Sequence, residues 1–276
     1  NGKLSSGEEM YFGFAMALDK EVLNNYSSFG LKEIKSRYFF NKLTVTLIKK
    51  FGYQKAQRIG RLISLILYST CLGYFFKLIK FNFFQLTICF LVFIFCGQDL
   101  FGGEWFFYSY QPKTLAYPIL FLALTCMIRN RFFESAILLG ITTYIHFLIG
   151  GWFFLFLLIF MIVKKSSVES FFKYLIIYAI VTLPLTAYIL KSYFINVDLE
   201  NFKNLPSVDW IYALFRHPHH MAPFKNFSFF YGTWFKGIIV SIPLTILSIH
   251  IYSKGEEKIF QNIALLNTII FAQLYF

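Results

Sequence analysis

Charge is scarce in this chain, and acid scarcer still. Charged residues make up 14% of its 276 positions, and 14 Asp and Glu stand against 26 Lys and Arg. A surface that thin in charge excludes an ordinary water-soluble domain, where about a quarter of the residues are charged. The four cysteines, Cys71, Cys89, Cys96 and Cys126, fall inside apolar runs without metal-ligand spacing. That excludes a thiolate metal site, leaves them as small buried hydrophobes, and gives no report of a redox compartment. Also missing are a phosphate-binding Walker loop, a dinucleotide fingerprint, a zincin motif and a nucleophile elbow, so soluble-type NTPase and hydrolase readings have no foothold. Any energy for chemistry has to come from the substrate. The chain starts at Asn1 without a signal-peptide pattern and stops at Phe276 inside an apolar run. A piece of a longer protein is expected, with spans missing at both ends.

What the chain does have is oil. Hydrophobic residues reach 57% and the mean hydropathy is +0.59, values expected of a protein solvated by lipid. The net charge of +12 lies mostly beside apolar runs, where cytoplasmic bias and anionic headgroups account for it, so no nucleic-acid partner is expected. The expected fold is all-α, a polytopic transmembrane helical bundle. A bilayer core takes about 20 apolar residues of helix. Candidate spans are 62–79, 81–98, 114–128, 132–146, 148–163, 171–190, 236–252 and 259–276. The apolar stretch 132–163 would run about 48 Å as one helix, too long for a core of about 30 Å. It therefore breaks, and the readable place is His146-Phe147-Leu148-Ile149-Gly150-Gly151.

Lys77 and Lys80, Arg129 and Arg131, Lys164 and Lys165, and Lys254 and Lys258 then alternate with a single membrane face, the cytoplasmic one. Two regions follow: 1–61 as an outer-face loop with amphipathic helices, and 62–276 as the transmembrane domain with an outer-face loop over 191–235. Within 32–61, an amphipathic helix around Leu43, Leu47, Ile48 and Phe51 is predicted to lie on the headgroups.

Polar chemistry collects on the outer face. Glu8 and Glu9 precede an apolar helix. One reading is a helix start complementing the dipole. The other is a general base, or a carboxylate holding a divalent metal such as Mg or Mn against phosphate oxygens. Between two spans, Glu104 and Trp105 fit either an interfacial aromatic belt or a sugar subsite, with Lys113 as a point charge for a phosphate. His146 is either a satisfied structural group or a functional polar residue at membrane depth. The loop Arg216-His217-Pro218-His219-His220-Met221-Ala222-Pro223 has three readings. These are phosphate capture by the Arg216 fork with imidazole help, metal ligation by His217, His219 and His220, and a solvated loop.

Taken in order, several parts form a pattern. Glu8-Glu9 leads to Tyr11-Phe12-Gly13-Phe14-Ala15, then Gly102-Gly103-Glu104-Trp105 precedes Pro112-Lys113-Thr114-Leu115-Ala116-Tyr117. Short paired spans follow, with Ala136-Ile137-Leu138-Leu139-Gly140 leading to His146 and Gly150-Gly151-Trp152. This resembles the GT-C class of polytopic membrane glycosyltransferases, and an uncharacterised bacterial membrane protein family distantly related to it. The resemblance implies sugar transfer from a polyprenyl-phosphate-linked donor at the outer face of a bacterial inner membrane. It places the acidic site at Glu8 or Glu9. Against it stand a transporter or flippase of a lipid-linked or anionic substrate, and a non-catalytic membrane subunit.

Overall fold

A computed structural model describes residues 6–19, 37–78, 80–95, 109–193, 227–231 and isolated positions between 235 and 265. Every element among these residues is helical. The chain divides into two compact units, one of Asn1–Asn82 with Phe107–Ile195 and one of Phe83–Phe106 with Asn196–Phe276.

Among the described residues the first unit has six helices: α1 (Ser6–Asp19), α2 (Tyr38–Leu78), α4 (Pro112–Ile128), α5 (Phe132–Ile145), α6 (Phe147–Val163) and α7 (Val168–Tyr193); α3 (Phe83–Phe95) and α8 (Phe227–Phe230) belong to the second. Helix α5 is central, packing against α4, α6 and α7, while α2 packs against α1 and α4. Small residues make this possible. Ala136 and Leu139 are fully buried on α5, the Ser135 hydroxyl donates to the Ala123 carbonyl of α4 at 2.8 Å, and a Cβ on Gly140 would stand 2.4 Å from Val181 of α7.

Two described helices are long and apolar enough to cross a membrane, α2 and the Val168–Leu190 part of α7. The expected spans 114–128, 132–146 and 148–163 form the apolar helices α4, α5 and α6, of 17, 14 and 17 residues. At 1.5 Å per residue these are about 21–25 Å long, short of a hydrocarbon core of about 30 Å. Expected span 81–98 forms the 13-residue α3. Most of 236–252 and 259–276, and of the loop 191–235, lies outside the described residues. Outward-facing Leu62, Leu65 and Ile66 on α2, Trp152 and Ile159 on α6, and Phe172, Ile176 and Ile180 on α7 are exposed, an apolar belt that suits lipid.

The predicted amphipathic helix exists but uses its apolar face differently. Leu47 and Ile48 are buried with Phe40 and Thr44 inside the protein, and Phe51 is exposed. Their partners include Phe12, Tyr110, Leu115 and Ile145, so that face covers protein rather than headgroups. Nor does the helix stop at the expected boundary of 61/62. It bends at Gly52 (φ 74°, ψ 167°) and continues to Leu78.

The overlong apolar stretch breaks at one residue. His146 is extended (φ −146°, ψ 98°) and caps both neighbours. Its N–H donates to the Thr142 carbonyl at 2.8 Å, its carbonyl accepts from Gly150 N–H at 3.1 Å, and Nδ1 accepts from Ile149 N–H at 3.4 Å. No extra turn residues are needed, because a Cβ at Gly150 would lie 2.1 Å from Thr143 Oγ1. Only glycine lets α6 fold back this closely on α5.

Candidate functional site: a polar layer opposite the basic turns

Arg129 of α4 donates to the Tyr74 hydroxyl of α2 at 2.7 Å, and Lys164 after α6 donates to Asn130 Oδ1. These contacts bring the basic ends of α2, α4 and α6 to one level. Counting along each helix from there, Arg61, Lys113 and His146 all stand about 20–27 Å away. The first unit is thus basic at one end and carries a second polar layer near the other.

At the centre of that layer is Glu8. The spacing of Glu8, Phe12 and Ala15 puts all three on the inward face of α1, and all are buried. A buried carboxylate is costly unless every lone pair is used. Here Gln57 Nε2 donates at 2.8 Å, Arg61 donates from Nε at 2.8 Å and Nη2 at 2.7 Å, and the Tyr110 N–H donates at 2.7 Å. Gln57 and Arg61 are four apart on α2, hence on one face. Tyr110 reaches Glu8 because position 60 is glycine: a Cβ there would sit 2.4 Å from the Tyr110 ring. That ring packs between Phe12, at 6.2 Å, and Phe40, at 5.0 Å. Burial pushes its hydroxyl up to about 12.

Beside this fastener lies a cationic group. Lys113 occupies the first turn of α4, fixed by Pro112 at the first helical position and by Thr114. The Thr114 hydroxyl accepts from the Gln111 N–H at 3.1 Å and donates to the Gln111 carbonyl at 2.8 Å. Burial pulls the Lys113 ammonium down to about 8. His146 stands within reach of the positive charges of Arg37 and Lys113. Arg37 in turn lies over the Tyr11 ring, 5.4 Å from its centre. With Nδ1 taken by the Ile149 N–H, a neutral His146 carries its proton on Nε2.

The sequence-predicted residues thus separate. Lys113 and His146 come within mutual electrostatic reach, joined by Arg37, which sequence reasoning did not single out. Glu8 is buried and saturated by N–H donors, with a guanidinium on its oxygens, so it fits neither a general base nor a ligand for Mg or Mn. Glu9 is exposed, facing away from the buried stripe of α1. Among the described residues no group of three or more His, Cys, Asp or Glu is arranged to hold a metal. Glu104, Trp105, Arg216, His217, His219 and His220 lie outside the described residues. Gln57, Arg61 and Gly60 were also missed. The visible signal was a Gln and an Arg four apart, but Gln54, Lys55 and Arg58 on the same stretch of helix masked it. No protein family, curated protein or solved structure matches this chain.

Proposed function

We propose that this is a GT-C-like polytopic membrane glycosyltransferase of a bacterial inner membrane, acting on a polyprenyl-phosphate-linked sugar at the outer face. The observation that carries the reading is the group of Arg37, Lys113 and neutral His146 at the far end of apolar helices too short to cross upright. Two cations and an imidazole N–H suit a phosphate whose isoprenoid chain stays among lipid-facing helices. Glu8 acts as a fastener that holds α1, α2 and the approach to α4 in register around that group. Deprotonation of the acceptor then falls to Glu9. As roles that the sequence alone suggests, Arg216 with His217, His219 and His220 would bind a phosphate, and Glu104 with Trp105 a sugar.

Polyprenyl phosphate binding to the reconstituted chain, together with sugar transfer from a labelled lipid-linked donor, tests this. Lys113→Ala should weaken binding about tenfold, the scale of one charge-assisted hydrogen bond. Wild-type binding should weaken as pH rises above about 8, where Lys113 loses its proton. Glu9→Gln should lower turnover at least about a hundredfold, the scale of a general base. Binding indifferent to Lys113 and Arg37 would overturn the site. A second reading, a transporter or flippase of the same class of substrate, is favoured by one observation: Glu8 has no free lone pair for catalysis. Tight binding without transferred sugar, and with Glu9→Gln silent, would select it.

A further inference from the structure

The three turns at the basic end of the first unit share one backbone device. Each of α2, α4 and α6 closes with the paired-bond cap in which two N–H groups beyond the helix return to its last carbonyls. After α2, Lys80 N–H reaches the Lys77 carbonyl at 3.2 Å and Phe81 N–H the Phe76 carbonyl at 3.1 Å. After α4, Asn130 N–H reaches Met127 at 3.0 Å and Arg131 N–H reaches Cys126 at 2.8 Å. After α6, Lys165 N–H reaches Ile162 at 2.9 Å and Ser166 N–H reaches Met161 at 3.0 Å. The residue at the centre of each cap is left-handed: Lys80 with φ 58°, Asn130 with φ 62° and Lys165 with φ 56°. Glycine is the usual occupant there, since a Cβ is penalised, and asparagine is the tolerated substitute. Lysine is neither, yet it occupies two of the three positions.

Something other than the cap therefore fits lysine to these positions. Complementing the negative helix ends is one role. However, Lys77 in the last turn of α2 and Lys164 one residue before Lys165, the latter with φ of −69°, already fill it with no left-handed cost. The charges do not converge on a pocket. Lys77 and Lys80 are exposed at one turn and Lys165 at another, and of the nearby acids Glu134 is taken by Arg131 at 2.6 Å. Within three residues of each left-handed position comes an exposed apolar side chain, namely Phe81, Phe133 and Val168, at 36%, 57% and 72% exposure. A spread of cations set immediately above an apolar belt matches the boundary between headgroups and acyl chains.

We infer that this end of the first unit is a binding surface for anionic phospholipid headgroups, with Lys80 and Lys165 its principal contacts. The inference is independent of the proposed transferase activity and requires only that the unit sit in a bilayer. A soluble anion would need a convergent site, whereas dispersed lysines suit several headgroups at once.

The test is binding of fluorescent phosphatidylglycerol, with fluorescent phosphatidylcholine as control, to the full chain in neutral detergent. Wild type should prefer phosphatidylglycerol, and raised salt should remove the preference. The double substitution Lys80→Gly and Lys165→Gly should weaken phosphatidylglycerol binding roughly fivefold per lysine and leave phosphatidylcholine binding alone. Its unfolding temperature without anionic lipid should equal or exceed wild type, because glycine relieves the left-handed turns. Inorganic phosphate should not compete. Unchanged phosphatidylglycerol affinity overturns the inference, as does competition by phosphate, which would mark a soluble-anion site. A lower unfolding temperature with lipid affinity intact would assign the lysines to the helix ends instead. If the glycine pair does not fold, Lys80→Asn with Lys165→Asn, a residue the turn at 130 already accepts, gives the same reading.

Discussion

At one end of the first unit, Arg131 grips Glu134 in the open, both side chains well exposed. At the other end Arg61 grips Glu8 with similar distances, but the carboxylate has no contact with water. The two pairs look alike as chemistry and differ in what surrounds them. Water already satisfies the exposed pair, so forming it gains little. Glu8 has no water to fall back on, so Gln57, Arg61 and the Tyr110 amide are required together, and α2 and the chain at Tyr110 become tied to one side chain of α1. Depth, more than partner identity, decides what a charge does in this molecule.

The sharpest way to break that comparison is to remove each carboxylate. Glu8→Ala should destabilise the protein by about 3 kcal/mol, the lower end for a broken buried pair because Arg61 is itself partly exposed. Glu134→Gln should leave the unfolding transition where it was. Denaturation in matched lipid or detergent measures both, and equal shifts would mean the two environments are not different after all.

A smaller effect is expected from the backbone that delivers Tyr110 to Glu8. Gly60→Ala should cost about 2 kcal/mol, the scale of overpacking against a ring that cannot move aside. Gly13→Ala, whose added methyl meets nothing within 4 Å, should stabilise its helix by up to about 1 kcal/mol. Coupling of Gly60→Ala to Tyr110→Ala in a double-mutant cycle would confirm the contact, and strict additivity would refute it.

The smallest effect sharpens the picture of the exposed end. Lys173 and Glu169 face each other at 2.5 Å on the open side of α7, and swapping the two should leave stability unchanged. A clear loss would show that this surface is less wet than its exposure indicates.

The sequence made some of this legible and hid the rest for physical reasons. That the stretch 132–163 breaks followed from its length against a bilayer core, the place of the break from His146 and the Gly150-Gly151 pair, and the basic face from charges beside apolar ends. The direction of packing was harder. Leu47 and Ile48 mark an apolar stripe, but nothing local says whether protein or lipid covers it. Glu8 and Glu9 are adjacent and chemically equal as sequence. What separates them is helix phase together with donors that lie 49, 53 and 102 residues further along the chain, a distance over which no local pattern reports. Arg37 likewise joins Lys113 and His146 only after folding.

Position 52 has room for a side chain, because a Cβ there would touch nothing within 4 Å, yet its φ of +74° suits no ordinary residue. What α2 requires at that point is therefore a handedness rather than a size. In mirror image its torsions are those of a plain extended residue. A chemically synthesised chain with D-alanine at 52 would keep the bend with fewer unfolded conformations to lose, and one with L-alanine would have to fight it. The joint between the inward-packed and the lipid-facing halves of this helix is thus a stereochemical instruction, written with the one coded amino acid that has no hand of its own.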